Sequence, residues 1–113
     1  MSLSPKGAAD LKGIAGLPKS KIDYPTSDTR GVPRPFTAEG TYDSVACPAP
    51  QAKVTYYDGG GGDVGHQGPD PCHLIDDTSW DFGCTPPAGA VTCKIETFCG
   101  GVVQDTADPV YLV

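Results

Sequence analysis

Six cysteine and histidine side chains lie close together in the sequence and could bind a metal ion. They are His66, Cys72, His73, Cys84, Cys93 and Cys99. Thiolates and imidazoles are the ligands that zinc prefers in tetrahedral sites, and a zinc site would stabilise a small protein. The spacing argues against zinc, because no Cys-x2-4-Cys pair occurs and the adjacent Cys72 and His73 cannot easily bind one metal ion. We therefore predict no metal and no other cofactor.

Two further interpretations of the five cysteines stay open. Two disulfides with one spare thiol would fit a protein that works outside a reducing compartment. Free thiols packed as small hydrophobic side chains are favoured, because free cysteine is among the most buried residue types.

Cys93 and Cys99 lie six positions apart on one expected strand, which puts their Cα atoms roughly 20 Å apart. A disulfide needs less than ~7 Å, so we predict that these two are not bonded to each other.

Four consecutive glycines, residues 59–62, lie between Asp58 and Asp63. A phosphate-binding loop would need a Gly-Lys-Ser/Thr ending, and Asp63 would repel an anion. The two aspartates are not spaced as calcium ligands either. Residues 58–73 show neither a strand nor a helix period, so we predict a long loop with a flexible tip. No serine or cysteine lies in a recognisable nucleophile turn, and we predict no enzymatic activity and no small-molecule substrate.

The single tryptophan, Trp80, is surrounded by acidic residues in the run Asp76-Asp77-Thr78-Ser79-Trp80-Asp81. An exposed indole beside carboxylates can stack on a sugar ring or anchor a protein interface. The alternative is a core tryptophan with solvated acids beside it. Trp80 is therefore a possible interface or ligand anchor.

Charge divides the chain into two parts. Residues 1–36 carry six cations against three acids, whereas residues 37–113 carry two cations against eleven acids. A basic segment joined to an acidic body is typical of a protein that binds to something larger. We predict an extended basic arm over residues 1–36 and a small acidic body over residues 37–113. The predicted partner-binding residues of the arm are Lys6, Lys12, Lys19, Lys21, Ile22, Tyr24, Arg30, Arg34 and Phe36.

Prolines and glycines decide the expected shape of the arm. Ser4-Pro5 and Gly13 frame a possible short helix at residues 5–12. Prolines at positions 18, 25, 33 and 35 favour an extended, polyproline-like path that can lie on another protein. The other interpretation is a disordered tail with no partner. The cations are spread widely with acids among them, so we expect no specific nucleic-acid partner.

Three segments of the body have the composition or alternation of β-strands. They are residues 53–57, 91–97 and 110–113. The Gly100-Gly101 pair fits a two-residue hairpin turn of the primed type. Such a turn would place Cys99 opposite Val102 and Phe98 opposite Val103.

The body is small for an independent domain. At about 75 residues, one hydrophobic core rarely supplies more than ~3–5 kcal/mol, and Leu, Ile, Val and Phe total only 21 of the 113 residues. Burial against neighbouring molecules, or a zinc site or disulfides, must therefore add to the stability of the body. No run approaches the ~20 apolar residues of a membrane span. Lys6, Asp10 and Lys12 interrupt any leader-like stretch, so we expect synthesis in the cytoplasm without a signal peptide.

These observations predict a mainly β protein: a small β-sandwich or barrel-like body with long Gly/Pro-rich loops and an extended N-terminal arm. Our functional hypothesis is a non-enzymatic structural protein of a large assembly, bound through the arm to neighbouring protein subunits. A cement, decoration or minor coat protein of a phage or virus particle fits this architecture, with the virion as its location and no membrane partner. The alternative is a small ligand-binding module stapled by a Cys/His metal site or by disulfides.

Overall fold

Two antiparallel β-sheets pack face to face in the computed structural model, which describes residues 18–113. The strands are β1 (Ser20–Tyr24), β2 (Phe36–Tyr42), β3 (Gln51–Tyr57), β4 (Asp63–Pro71), β5 (His73–Leu74), β6 (Ser79–Cys84), β7 (Thr92–Cys99) and β8 (Val102–Tyr111). One sheet has the order β1-β2-β6-β5, and the other has the order β4-β3-β7-β8. The predicted mainly β class and the small sandwich are confirmed.

The alternation of β7 places its side chains as the sequence predicts. Cys93, Ile95, Thr97 and Cys99 face the core, and the residues between them are half-buried. The β7–β8 hairpin also has the predicted register, with Phe98 opposite Val103 and Cys99 opposite Val102. Its turn residues, Gly100 and Gly101, have φ angles of 59° and 82°, as a primed turn requires.

Strand β4 is absent from the sequence-based prediction, which has a loop over residues 58–73. The loop is confined to residues 58–62, where the Asp58 carboxylate accepts hydrogen bonds from the backbone N–H groups of Gly60 and Gly62. β4 lies at a sheet edge, is mostly exposed on both faces and pairs with β3 through two irregularities in register. A strand without a buried face has no alternating pattern, so its sequence carries no strand signal.

Residues 20–36 are part of the sandwich, which corrects the prediction of an extended arm for this stretch. β1 pairs with β2, and Ile22 and Phe36 are buried in the core. Pro18 and Pro25 flank β1 rather than interrupt it, so a five-residue strand fits between them. The possible helix at residues 5–12 lies outside the described residues.

Side chains of β8 join the two sheets along one side of the sandwich. The backbone N–H of Lys19 donates to the Gln104 side-chain oxygen at 2.9 Å, and the N–H of Ile22 donates to Asp105 Oδ2 at 2.8 Å. The hydroxyls of Ser20 and Thr97 are hydrogen-bonded at 2.9 Å within the core. These contacts satisfy edge groups of β1 that would otherwise remain unpaired.

The opposite side is joined by Gln67 of β4. Its side-chain oxygen accepts hydrogen bonds from the Tyr56 hydroxyl and the Thr85 N–H, and its side-chain amide donates to the Gly83 carbonyl at 3.0 Å. A disulfide between Cys47 and Cys99 adds a covalent link between the β2–β3 connection and the end of β7. Both sides of the sandwich are therefore held by side-chain contacts.

Trp80 lies at the centre of the first sheet, packed over Gly40. The indole is fully buried, and its N–H donates to the carbonyls of Lys21 and Thr41 at 3.2 and 3.1 Å. A Cβ atom at Gly40 would overlap the Lys21 carbonyl oxygen and lie 2.5 Å from the Trp80 ring. Glycine is therefore required where β1, β2 and the indole meet.

Gly40→Ala is expected to destabilise the fold by about 1–3 kcal/mol or more, because the added methyl group meets backbone and a buried ring. Gly83→Ala is the matched control, since a Cβ atom there meets nothing within 4 Å. Chemical denaturation of both variants measures the difference. Equal stabilities would show that Trp80 does not lie against Gly40.

Candidate interaction surface

The strands run between two ends of the sandwich that differ in chemistry. The disulfide end comprises residues 18–20, 43–50, 72–79 and 99–103, around the Cys47–Cys99 bond. The glycine-loop end comprises residues 25–35, 58–62, 84–92 and 111–113. The described chain begins at Pro18, on the disulfide end.

Two of the predicted arm cations hold the end of β8 at the glycine-loop end. The Arg34 guanidinium donates to the carbonyls of Leu112, Val32 and Thr29 and lies 5.3 Å above the Phe36 ring. Backbone hydrogen bonds between residues 27–29 and Tyr111 complete this clasp. Arg34 therefore makes these contacts within its own chain, where they stabilise the fold.

Arg30 adds a second contact to the clasp. It is ion-paired with Asp28 at 2.8 Å and lies 5.4 Å above the Tyr111 ring. The hydrogen bonds from Arg30 lower the pKa of the exposed Asp28 carboxyl to about 2. The carboxylate thus stays ionised, and paired with Arg30, down to strongly acidic pH.

The remaining predicted arm residues do not form one surface. Lys19 is exposed at the disulfide end, Lys21 is exposed on β1, and Tyr24 is half-buried at the other end of β1. Ile22 and Phe36 are in the core and cannot be anchors on a partner. Lys6 and Lys12 lie outside the described residues.

Trp80 is not a surface anchor, which corrects the prediction of an interface or ligand residue. It points inward with Phe82 and Cys84, while Ser79 and Asp81 are half-buried. The prediction relied on the acidic residues around Trp80, which suggested an exposed position. The alternation of residues from Ser79 to Cys84 indicated a strand with Trp80 on its buried face. The structure supports the other interpretation, in which Trp80 is a core residue.

The cysteines are divided between one disulfide and three buried thiols. Cys99 is bonded to Cys47 and not to Cys93, as predicted, while Cys72, Cys84 and Cys93 are free. Among residues 18–113, no three His, Cys, Asp or Glu side chains are grouped so that they could hold a metal ion. The six residues of the zinc candidate therefore do not come together.

The three free thiols are expected to be unreactive in the folded chain. Burial raises the pKa of Cys72, Cys84 and Cys93 to about 12 in each case, so none is a thiolate at neutral pH. A thiol-specific chromophore at pH 8 should label none in the native protein and three in denaturant. Cys72→Ser should lower the denatured count to two. Rapid labelling of the native chain would contradict the burial.

One pair of side chains has the elements of a catalytic dyad. His73 Nδ1 and Asp81 Oδ1 are 2.9 Å apart across the β5–β6 pair, and the imidazole is exposed. The neighbouring Cys72 is a buried thiol whose pKa is raised by burial and by Asp81. The pair forms a cross-strand contact between β5 and β6.

Five of the nine large exposed hydrophobic side chains of residues 18–113 lie at the disulfide end, and the other four lie at or beside the glycine-loop end. Val45 is 91 % exposed, Val102 is 62 % exposed and Ile75 is 55 % exposed, and Leu74 and Val103 are also exposed. Between the 43–50 loop and the hairpin turn lies an open groove of about 400 Å³. Its lining residues are Ala46, Cys47, Pro48, Ala49, Gln51, Gly100 and Gly101. Large exposed aliphatic groups beside a groove are typical of a protein-binding surface.

The loops of this surface are held in place. The Asp43 carboxylate accepts hydrogen bonds from the N–H groups of Val45 and Ala46, and the disulfide fixes Cys47. The Asp76 carboxylate accepts from the N–H groups of Thr78 and Ser79, and these bonds lower its pKa. The surface therefore needs little ordering on binding, which favours affinity.

The surface at the disulfide end was not predicted from the sequence. Val45, Ile75 and Val102 are the same residue types as core residues such as Val110 and Ile95. Cys47 was left out of the metal candidate because it is distant in sequence. The Cys47–Cys99 bond, together with the β3–β7 register that sets Gln51 opposite Phe98, brings the 43–50 loop to the hairpin.

Comparison with known proteins gives no relative for this chain. It matches no protein-family model, no curated protein and no solved structure. Among residues 18–113, no helix is long and apolar enough to cross a membrane. Function is therefore inferred from the surface alone.

Proposed function

We propose that this chain is a non-enzymatic structural subunit that docks onto neighbouring protein subunits of a larger assembly. The supporting observation is the disulfide end, which carries both exposed aliphatic side chains and an open groove. The described chain also begins at this end, so residues 1–17 are joined to the fold there. One end of the molecule then carries both the apolar surface and the start of the N-terminal segment.

The assembly that we propose is a phage or virus particle, with this chain as a cement, decoration or minor coat protein. Residues 18–113 carry thirteen acids against six cations. Such a charge keeps a small β-rich body soluble and opposes non-specific contact between bodies. With the disulfide end docked, the glycine-loop end faces outward.

The second candidate is a small ligand-binding module stapled by a disulfide. The Cys47–Cys99 bond favours it, since it would act in the isolated chain. The inward position of Trp80 removes the ligand anchor on which that hypothesis relied. The assembly subunit therefore has the stronger support.

Co-sedimentation with large particles from the native source tests the proposal. The wild-type chain should migrate with the particles, and Val45→Glu and Val102→Glu should move to the light fractions. Charges placed on the docking surface must be desolvated on binding, which is costly. Val32→Glu is the control, because Val32 is exposed at the glycine-loop end. A wild-type chain found only in light fractions would refute the assembly role.

A further inference from the structure

The groove at the disulfide end is suited to aliphatic side chains. Its lining is made largely of Ala46, Pro48, Ala49 and the two turn glycines, and it contains no charged residue. Gly100 and Gly101 both have φ angles in the left-handed region, so the floor at the turn stays free of side chains. A neutral groove with small walls binds methyl-rich groups without desolvating a charge.

The unassigned part of this chain has the matching chemistry. Residues 1–17 contain Leu3, Leu11, Ile14 and Leu17, and their other residues are mostly Ala, Gly and Ser. They join the fold at Pro18, on the same end as the groove, where the Asp43 N–H donates to the Lys19 carbonyl and the Lys19 N–H donates to the Gln104 side chain. Seventeen residues can span at most ~60 Å, which is enough to reach an adjacent molecule.

Charge also favours this occupant. Residues 1–17 carry Lys6 and Lys12 against Asp10, whereas the described residues are strongly acidic. Asp76 and Asp77 lie on the disulfide end and are exposed. A slightly basic segment is thus attracted to an end that bears both acidic groups and a neutral groove.

We infer that the groove binds residues 1–17 of a second copy of this chain, which links copies by exchange of N-terminal segments. The inference rests on the proposed function, in which neighbouring subunits bind at the disulfide end. An exchanged segment joins bodies whose own like charges repel, because the contact is made by the least acidic part of the chain. Each copy then offers one segment and one groove.

Two complementary full-length variants test this exchange. Ala49→Trp fills the groove from an exposed position and leaves the segment intact. Leu11→Asp/Ile14→Asp disables the segment and leaves the groove intact. Ala88→Trp, at an exposed alanine of the glycine-loop end, is the control for the added indole. Sedimentation velocity measures association of each variant alone and of the two mixed in equal amounts.

The wild-type chain and Ala88→Trp should associate as concentration rises, and each disabled variant should remain a monomer. The equal mixture should form 1:1 pairs, because one variant supplies the segment and the other supplies the groove. A mixture that stays monomeric overturns the inference, including the case in which the segment folds into its own groove. If the equal mixture stays monomeric while the wild-type chain still co-sediments with the native particles, the proposed function stands although the exchange does not.

Discussion

Reduction of the Cys47–Cys99 disulfide is expected to lower the melting temperature of the isolated chain by about 20 °C. The bond closes a loop with a sequence separation of 52 residues, and the loss of that constraint on the unfolded chain costs about 4 kcal/mol. In a domain of this size, each kcal/mol shifts the melting temperature by about 4–8 °C. Thermal unfolding with and without reductant measures the change, after a thiol count confirms that all five cysteines are reduced.

Cys47→Ser/Cys99→Ser is the control, since it should melt at the reduced temperature and not respond to reductant. A chelator should leave the wild-type melting temperature unchanged. An unchanged melting temperature in the fully reduced wild type would show that other contacts carry the stability. The disulfide would stabilise a subunit and a ligand-binding module alike, so this melt reports on how the fold is held and the co-sedimentation experiment decides between the two functions.

Trp80→Ala should unfold the chain or leave it only marginally stable. Removing a fully buried indole costs about 3–5 kcal/mol, a large part of the roughly 5–15 kcal/mol that holds a domain together. The Lys21 and Thr41 carbonyls also lose the donor that they share. Far-ultraviolet circular dichroism and denaturant titration measure the loss.

Trp80→Phe separates the two contributions, because it keeps a ring over Gly40 and removes the N–H donor. Its loss of stability should be smaller. The fluorescence of this single tryptophan should be blue-shifted and protected from acrylamide in the wild-type chain. Red-shifted, fully quenched emission, or an alanine variant as stable as the wild type, would place the indole outside the core.

The parts of the fold that could be predicted are those in which one face of a strand is buried. Residues 91–97 alternate strictly, and the glycine pair that follows sets the β7–β8 register. β1 and β4 could not be found in this way. β1 is short and bounded by prolines, and β4 is an edge strand that carries glycine and proline. Their places depend on pairing with distant residues, which local composition does not encode.

The candidate surface could not be predicted from the sequence for a different reason. Exposure of Val45 and Val102 follows from where the 43–50 loop and the hairpin lie, not from their residue types. The connectivity of five cysteines cannot be deduced from their spacing. The cations illustrate the opposite error, since charge alone made Arg30 and Arg34 look like partner-binding groups. Their geometry shows that they hold the end of β8.

The path of the chain has a practical consequence for how the molecule could be used. The described chain enters at Pro18 on the disulfide end, and Val113 lies at the opposite end beside the clasp. A second protein joined after Val113 would therefore be carried on the side away from Val45 and Val102. The Arg34–Leu112 hydrogen bond uses a backbone carbonyl, so such a fusion can preserve it. The sandwich would then serve as an adaptor that carries cargo at one end and leaves the other end free for the proposed docking.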